Sequence, residues 1–239
     1  MLADKNMDSQ YGFLENRSLS RELPKTVQVY GILRDAIVNM QLVPGISINK
    51  ELISSKLKVS RTPVSEAVIR LEENGLVEVF PQHGTFVSKI RVSDVRQGAF
   101  LRKALEVAAV REVSERATQD QIDQLRKNIR YQESALGAAD LDDFHVHDEK
   151  FHTLICMFTG YPRLPRLVDG SRAQLDRVRK LLLPDPTRPI DTIEEHKEIV
   201  AAIEAKDPDL AALVTKNHLD KTPNKLEQLI QQQPELFES

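Results

Sequence analysis

The sequence has a single cysteine and no long run of apolar residues, and each shortage excludes a class of protein. Because Cys156 has no second cysteine to pair with, an intrachain disulfide is impossible, which fits a reducing cytoplasm. The apolar runs are only a few residues long, whereas a membrane-spanning helix needs about 20. Residues 1–18 lack the basic flank and apolar block of a secretory signal. We therefore expect a cytoplasmic protein without a transmembrane helix.

Excess charge of one sign is also lacking. The 239 residues carry a formal net charge of −3, which argues against a protein coated along its whole length by nucleic acid. The charge is uneven, however: residues 24–90 hold eight Lys and Arg against six Asp and Glu, and residues 91–239 hold 22 against 26. This pattern fits a local DNA-contacting patch at the front of an otherwise anionic protein. The length itself predicts two domains.

Residues 24–90 show the pattern of three helices followed by a β-hairpin. Apolar residues recur at helical spacing over 26–40, 49–58 and 60–77. In the third segment Thr62 suits the helix cap, Pro63 the first helical position and Gly75 the stop. Two β-branched and aromatic runs then flank residues 81–84, which predicts a hairpin. The sequence thus predicts a winged helix-turn-helix, although the third segment could also be an ordinary surface helix with solvated charges.

The rest of the chain is expected to be helical, and to form an antiparallel bundle over residues 96–231. We expect residues 1–23 to be a flexible arm and residues 91–95 to be a linker. Proline, glycine or acidic breaks separate six periodic segments, which are 94–117, 119–137, 140–159, 164–183, 191–206 and 208–231.

Polar residues interrupt the apolar stripe in three of these segments. Asp148 and His152 lie one turn apart on the stripe that also carries Phe151, and His196 and His218 occupy core-facing positions of later segments. One aspartate and three histidines are a ligand set suited to a divalent metal. The alternative is that each histidine is an ordinary core residue with hydrogen-bond partners.

The front of the chain resembles a known family. The pattern PG..I.KELI...KVSRTPVSEAVIRLEENGLVEVFPQHGTFVS is similar to the DNA-binding domain of the GntR superfamily of bacterial transcription regulators, over about residues 26–90. The family usually has arginine where this chain has Ser65, and serine cannot make the bidentate contact with guanine that arginine makes. Either the operator differs at that position, or Arg61 and Arg70 carry more of the base readout. The resemblance and this substitution together predict eight residues that contact operator DNA. They are Lys50, Ser60, Arg61, Thr62, Ser65, Arg70, His83 and Gly84.

The back of the chain resembles a second element of the same regulators. The segments DEKFH, EEHKEIVAAI and NHL are similar to the metal-binding pattern of the FCD effector domain found in the FadR branch. The resemblance covers about residues 96–225, and the six segments suggest the shorter, VanR-like version. It implies one divalent ion per chain, with zinc the first candidate and nickel or another divalent ion the alternative. The implied metal ligands are Asp148, His152, His196 and His218.

Further residues are candidates for binding an anionic effector. Arg102 precedes Leu105 and Glu106 as in the family pattern R..LE, where the arginine often faces the effector cavity; the alternative is a surface pair with Glu106. Arg172 and Asn217 are weaker candidates for the same role. We expect His145 to be exposed, the alternative being a position at the edge of the same cavity. We expect Cys156 to be a buried structural thiol, the alternative being a soft metal ligand.

Taken together, these patterns predict a metal-containing repressor. It would bind a palindromic operator in double-stranded DNA as a homodimer and be released by a small carboxylate bound at the metal site. Two other functions stay open at this point. One is a metal-dependent hydrolase or isomerase that uses the Asp/His site, and the other is an architectural DNA-binding dimer without an effector.

Overall fold

The computed structural model describes residues 10–15, 17–182 and 187–238. The chain divides into two compact units. The first comprises the residues up to Asp94 together with those from Ile230 onward, and the second runs from Val95 to Leu229. The domain limits predicted at residues 90 and 96 differ from this division by a few residues.

The first unit is built on three helices, and the order predicted from sequence is confirmed. They are α1 (Lys25–Val38), α2 (Lys50–Leu57) and α3 (Arg61–Glu73). Asn49 caps α2 by accepting a hydrogen bond from the backbone N–H of Leu52.

Helix α3 buries the predicted apolar face. Val64, Ala67, Val68 and Leu71 are each at most 1% exposed, and Gly75 adopts the positive φ of +66° that a helix-terminating glycine permits. The predicted start was wrong, because the helix begins at Arg61 after Ser60 and not at Pro63. The correction has a simple cause: the first helical N–H groups have no intrahelical acceptor, so proline is tolerated throughout the first turn.

The predicted hairpin follows α3. Strands β1 (Val77–Phe80) and β2 (Gly84–Val87) pair antiparallel, with Val77 opposite Val87 and Phe80 opposite Gly84. At the turn Gln82 and Gly84 have φ values of +64° and +112°, which places the side chain of His83 at the exposed tip.

Two segments near the chain ends also pack on the first unit. Tyr11 and Leu14 are fully buried, and the Tyr11 hydroxyl donates to Ser47 O at 2.8 Å and accepts from Asn49 N–H at 3.0 Å. The flexible arm predicted for residues 1–23 is therefore wrong for residues 11–14, because two apolar side chains there bury against the domain. Residues 1–9 and 16 of that prediction lie outside the described residues.

The other segment is a short strand close to the C-terminus. Strand β4 (Phe237–Glu238) pairs in parallel with β3 (Ile90–Arg91), in a region for which the sequence indicated helix alone. Residues 91–95 were predicted as a linker, yet Arg91 is the last residue of β3 and the long helix α4 begins at Val92.

The second unit is helical in the part of the chain described here, in agreement with the predicted fold class. Its helices, of which the first and the last extend a few residues beyond its limits, are α4 (Val92–Arg116), α5 (Gln119–Gly137), α6 (Leu141–Phe158), α7 (Leu164–Ser171), α8 (Ala173–Leu182), α9 (Thr187–Glu204), α10 (Pro208–Asn224) and α11 (Leu226–Gln232). Together they enclose an apolar core that includes Val110, Leu125, Phe151, Ile199 and Ala211.

Two of the six predicted segments are each divided into two helices. The segment 164–183 breaks at Arg172, and the segment 208–231 breaks after Asn224. The second break has a local cause, because Pro223 has no N–H to donate and its ring crowds the preceding turn. Helix α9 also starts four residues earlier than predicted, since Pro189 fits within its first turn. None of the described helices is both long and apolar enough to cross a membrane.

Candidate metal centre and nucleic-acid interface

Four predicted metal ligands converge inside the second unit. Helix α6 supplies Asp148 and His152 one turn apart, α9 supplies His196 and α10 supplies His218. Each of the four residues is at most 4% exposed, and one nitrogen or oxygen atom from each lies within 4.8 Å of the others. The i, i+4 spacing on α6 and the core-facing stripes of α9 and α10 produce this convergence.

Each histidine is oriented by a side chain on its outer nitrogen. His152 Nδ1 lies 2.7 Å from Glu106 Oε2, and His218 Nδ1 lies 2.6 Å from Glu195 Oε2. A carboxylate only accepts hydrogen bonds, so in both rings the proton belongs on Nδ1.

The third histidine is held in the same way by an amide. His196 Nδ1 lies 2.9 Å from Gln132 Oε1, while Gln132 Nε2 donates to Asn128 Oδ1 at 2.7 Å. The Phe151 ring stacks on the His196 imidazole at a centroid distance of 4.0 Å. These contacts fix the ring and assign its proton to Nδ1 as well.

The inner nitrogens consequently face one another as acceptors. His152 Nε2 and His218 Nε2 are 3.2 Å apart, and Asp148 Oδ1 lies 3.7 Å from His196 Nε2 and 3.9 Å from His152 Nε2. Asp148 Oδ1 and His196 Nε2 are buried without a hydrogen-bond partner among the described residues. Such a concentration of lone pairs is costly unless a cation lies between them.

Burial keeps the three imidazoles neutral. Burial away from water lowers the pKa of His152, His196 and His218. The neighbouring histidines lower the pKa of His196 and His218 further. Neutral imidazole is the form that binds metals. Two nitrogens bound to one tetrahedral zinc ion would be about 3.3 Å apart, close to the 3.2 Å between His152 Nε2 and His218 Nε2. The cluster therefore could hold a divalent metal ion, and its donor set does not specify which one.

The carboxylates at the cluster are all paired with arginines. The second oxygen of Asp148 forms an ion pair with Arg179 of α8. The other two pairs are Arg102 Nε with Glu106 Oε1 at 2.5 Å and Arg188 Nη1 with Glu195 Oε1 at 3.0 Å.

A narrow cleft with a cavity volume of about 20 Å³, room for about one water molecule, adjoins the cluster. Arg179, Arg188 and Asp148 share its lining with His145. Of the two positions considered for His145, exposure is wrong and the edge of the cavity agrees with the structure. This residue is 7% exposed, and burial followed by the charges of Arg179 and Arg172 lowers the pKa of its imidazole to about 2. Cys156 is fully buried as predicted, and burial raises the pKa of its thiol to about 12.

The three predicted effector residues do not share this cleft. Arg102 is 3% exposed and paired with Glu106, so the pair exists but is buried and not at the surface. Arg172 is 4% exposed and contacts Glu149 at 3.1 Å and Asp176 at 3.3 Å. Asn217 is exposed on α10.

The predicted DNA-contacting residues lie on the first unit. Ser60, Arg61 and Thr62 form the exposed N-terminal end of α3, and Ser65 is half-buried one turn later. Arg61 forms an ion pair with the exposed Glu51 at 2.9 Å. His83 and Gly84 are exposed at the hairpin tip, and Lys50 is half-buried at the start of α2.

Arg70 lies apart from the N-terminal end of α3. Its guanidinium lies 4.8 Å from the centre of the Tyr30 ring, in a cation–π contact with α1. Arg70 follows Arg61 by nine positions, and this places it roughly 13 Å further along the helix axis. Of the two arginines predicted to compensate for Ser65, Arg61 is thus the one at the exposed helix end.

The sequence did not identify the residues that surround the metal ligands. Gln132 gave a usable signal, since it interrupts the apolar stripe of α5 between Ile129 and Ala135 as the histidines do in their helices. Arg179 and Arg188 gave none, because an arginine in an amphipathic segment usually lies at the surface.

Comparison with known proteins identifies both units. Residues 25–87 match the family described as bacterial regulatory proteins, gntR family, and residues 99–221 match the FCD domain. The chain is 33% identical over 214 residues to the HTH-type transcriptional repressor RspR of Escherichia coli K12, covering 90% of this chain and 94% of that protein. It is also 28% identical over 184 residues to the Nta operon transcriptional regulator of Aminobacter aminovorans, covering 77% and 86%.

Solved structures share the fold. E. coli McbR/YncC matches with a TM-score of 0.77 at 21% identity, over 87% of this chain and 99% of that chain. A GntR transcriptional regulator from Rhodococcus sp. RHA1 matches with a TM-score of 0.72 at 22% identity, over 85% and 97%. The matched relatives are transcriptional regulators and not enzymes. The chain therefore belongs to the gntR family of bacterial regulatory proteins, in the FadR branch that carries an FCD domain.

Proposed function

We propose that this DNA-binding regulator is a cytoplasmic, metal-containing repressor whose homodimer binds a palindromic operator and is released by a small carboxylate. The observation that carries the proposal is the buried Asp148/His152/His196/His218 cluster in a chain with a winged helix-turn-helix. The relative RspR is named a repressor, which supports the direction of control.

The proposed DNA contacts are those at the exposed end of α3 and at the hairpin. Ser60, Arg61, Thr62 and Ser65 would enter the major groove, since a recognition helix contacts base edges with its N-terminal residues. Lys50, His83 and Gly84 would contact the backbone or the adjacent groove. We assign Arg70 a lesser part, because its guanidinium already contacts Tyr30.

The effector-binding part depends on the four ligands and the cleft beside them. A divalent ion held there would supply coordination positions open to a carboxylate oxygen. The chain's own side chains orient the three imidazoles, exclude water from the cluster and place cations at the cleft. Of the three residues predicted for this role, Arg102 and Arg172 would act through their partners, and the exposed Asn217 has no structural support.

Control of DNA binding would follow from linkage. A carboxylate that binds one arrangement of the dimer more tightly than another shifts the population toward it, by no more than the difference in affinity. A two-fold dimer reads a two-fold operator, so such a shift changes the fit to both half-sites together.

A gel-shift titration of the operator tests the DNA part of the proposal. The Arg61→Ala variant should bind at least about tenfold more weakly, because it removes a charged donor from the end of the recognition helix. Arg130→Ala, which removes an exposed arginine from α5, should bind as the wild type does. Equal affinity of the Arg61→Ala protein and the wild type would exclude this helix end as the reading surface.

Elemental analysis of protein purified without chelator tests the metal part. We expect about one divalent ion per chain, as one four-ligand site implies. The double variant His152→Ala/His196→Ala should retain none, and unchanged metal content in that variant would place the metal elsewhere.

A further inference from the structure

A groove rich in basic side chains lies beside helix α2 in the first unit. Its cavity volume is about 660 Å³, and none of the eight residues predicted to contact DNA lines it. The charged residues of its lining are Arg17, Lys25, Lys56, Lys58 and one carboxylate, Glu15. We call this surface the basic groove. Since the whole chain has a formal net charge of −3, the basic groove is a local positive surface on an anionic protein.

The N-terminal side of the basic groove is fixed by contacts with both ends of α2. Tyr11 and Leu14 are fully buried, and the Tyr11 hydroxyl accepts from the N–H of Asn49, the residue that caps α2. Near the other end of the helix, Lys56 Nζ lies 3.3 Å from Glu15 Oε1. These contacts make the basic groove a formed surface, since the segment that carries Arg17 is packed against the helix.

Three of the four cations are open to a ligand. The side chain of Lys56 is 15% exposed and paired with Glu15, so its charge is already offset. Arg17, Lys25 and Lys58 are exposed, and in the part of the chain described here none of the three forms an ion pair. Arg17 Nε donates to a backbone carbonyl of its own segment at 3.0 Å, and the two terminal nitrogens of a guanidinium are further donors.

The basic groove also lies close to the end of α3 that is proposed to enter the major groove. Lys58 caps the C-terminal end of α2 with a left-handed φ of +52°, and Ser60, two residues later, caps α3. Two residues of chain span at most about 7 Å. In a helix-turn-helix, the helix before the recognition helix crosses the DNA backbone, and here that helix is α2. A duplex bound by α3 therefore brings phosphates toward the basic groove.

We propose that the basic groove binds the phosphate backbone of the duplex beside the base contacts of α3, through Arg17, Lys25 and Lys58. This inference rests on the proposed function, since it extends the same DNA contact. Exposed cations suit a phosphate polymer, because each contact releases a condensed counterion. A small anion instead requires a few donors held in place within a pocket. Phosphate contacts carry no base information, so the basic groove adds affinity without sequence preference.

The salt dependence of DNA binding tests the proposal. Fluorescence anisotropy would follow the full chain binding to two duplexes of equal length, over about 50–200 mM salt. One duplex is the sequence that the wild type selects from a random library, and the other is the same sequence scrambled. In Arg17→Gln/Lys58→Gln, the slope of log affinity against log salt should become shallower by about 2 for each chain bound, since each phosphate contact contributes about 0.9. Affinity should fall by the same factor on both duplexes.

A second double variant controls for the change in net charge. Arg130→Gln/Lys216→Gln removes two positive charges from exposed positions of the second unit, and its slope should equal that of the wild type. A wild-type slope in Arg17→Gln/Lys58→Gln, or a loss of affinity confined to the selected duplex, would overturn the proposal. An unchanged slope together with saturable binding of inorganic phosphate, lost in that variant, would assign the basic groove to a small anion instead.

The Arg61→Ala variant separates this inference from the function on which it rests. It removes a base contact, so its preference for the selected duplex over the scrambled one should fall, whereas the groove variant should keep that preference. If Arg61→Ala kept the preference, the reading surface proposed on α3 would be wrong. The salt slope on the scrambled duplex would still decide whether the basic groove binds phosphates.

Discussion

At the scale of single residues, the histidine cluster depends on side chains that do not touch the centre. His196 is oriented by Gln132, a neutral amide, whereas His152 and His218 are oriented by carboxylates. An acceptor on Nδ1 fixes the tautomer and leaves Nε2 free to bind metal. Gln132 is therefore the partner that can be removed without leaving a buried charge.

Removing this acceptor should weaken metal binding while leaving all four ligands in place. In Gln132→Met, whose side chain has a similar length and no carbonyl, the zinc affinity should fall by about 10- to 100-fold, the usual effect of losing such a partner. Competition with a chromogenic chelator measures the affinity.

The matched control for this variant lies on the other face of the same helix. Gln124 is exposed on α5 and donates a hydrogen bond to Asp120 on the same face, so Gln124→Met should bind zinc as the wild type does. Wild-type affinity in the Gln132→Met protein would show that the imidazole of His196 needs no fixed tautomer.

At the scale of elements, one glycine sets how closely two helices of the second unit approach. A Cβ built on Gly98 of α4 would lie 2.3 Å from the backbone carbonyl oxygen of Ser171 at the end of α7. Real side chains never approach so closely, and a backbone atom cannot rotate away as a side chain can. Gly98 is thus required for the packing of α4 on α7.

The Gly98→Ala variant should lose about 1–3 kcal/mol of the free energy of unfolding, the usual result of overpacking. Gly170 is the control, because it lies within α7 and a Cβ there would have no neighbour within 4 Å. Gly170→Ala should be neutral or gain up to about 1 kcal/mol, since alanine favours the helix. Chemical denaturation followed by circular dichroism measures both, and equal stability of the two variants would exclude the close approach.

The elements also show what the sequence could and could not predict. Periodicity located the buried face of α3 and the stripes that carry His196 and His218, because burial follows the 3.6-residue repeat wherever one face is apolar. It misplaced the start of α3 at Pro63, since proline is compatible with several positions of a first turn.

Local sequence patterns could not predict contacts between distant parts of the chain. Arg179 lies in a segment that reads as an ordinary amphipathic helix, and its burial follows from Asp148, 31 residues away. The metal ligands were predictable only because four polar residues interrupted the apolar stripes of three helices. Their supporting partners Glu106 and Glu195 look like surface charges until the helices are packed.

At the scale of the whole molecule, the chain returns to its DNA-binding unit after the helical unit is complete. Phe237 of β4 is 6% exposed and pairs with Ile90 of β3, and Glu238 lies 3.5 Å from Arg91, which also contacts Glu78 of the hairpin at 2.5 Å. A strand of two residues carries no recognisable period, so this pairing had no sequence signal.

The C-terminal strand should therefore stabilise the DNA-binding unit and not the helical unit beside it in sequence. Phe237→Ala should cost about 3 kcal/mol of unfolding free energy, the lower end of the range for a buried phenylalanine, because a two-residue strand can shift to close part of the space left. Glu235→Ala, an exposed neighbour, should change the stability by less than about 0.5 kcal/mol. Hydrogen exchange resolves where the loss occurs: protection should fall at residues 77–91 and stay unchanged at residues 122–155. Loss of protection in the second range instead would assign the C-terminal strand to the helical unit, and operator affinity would then be independent of Phe237.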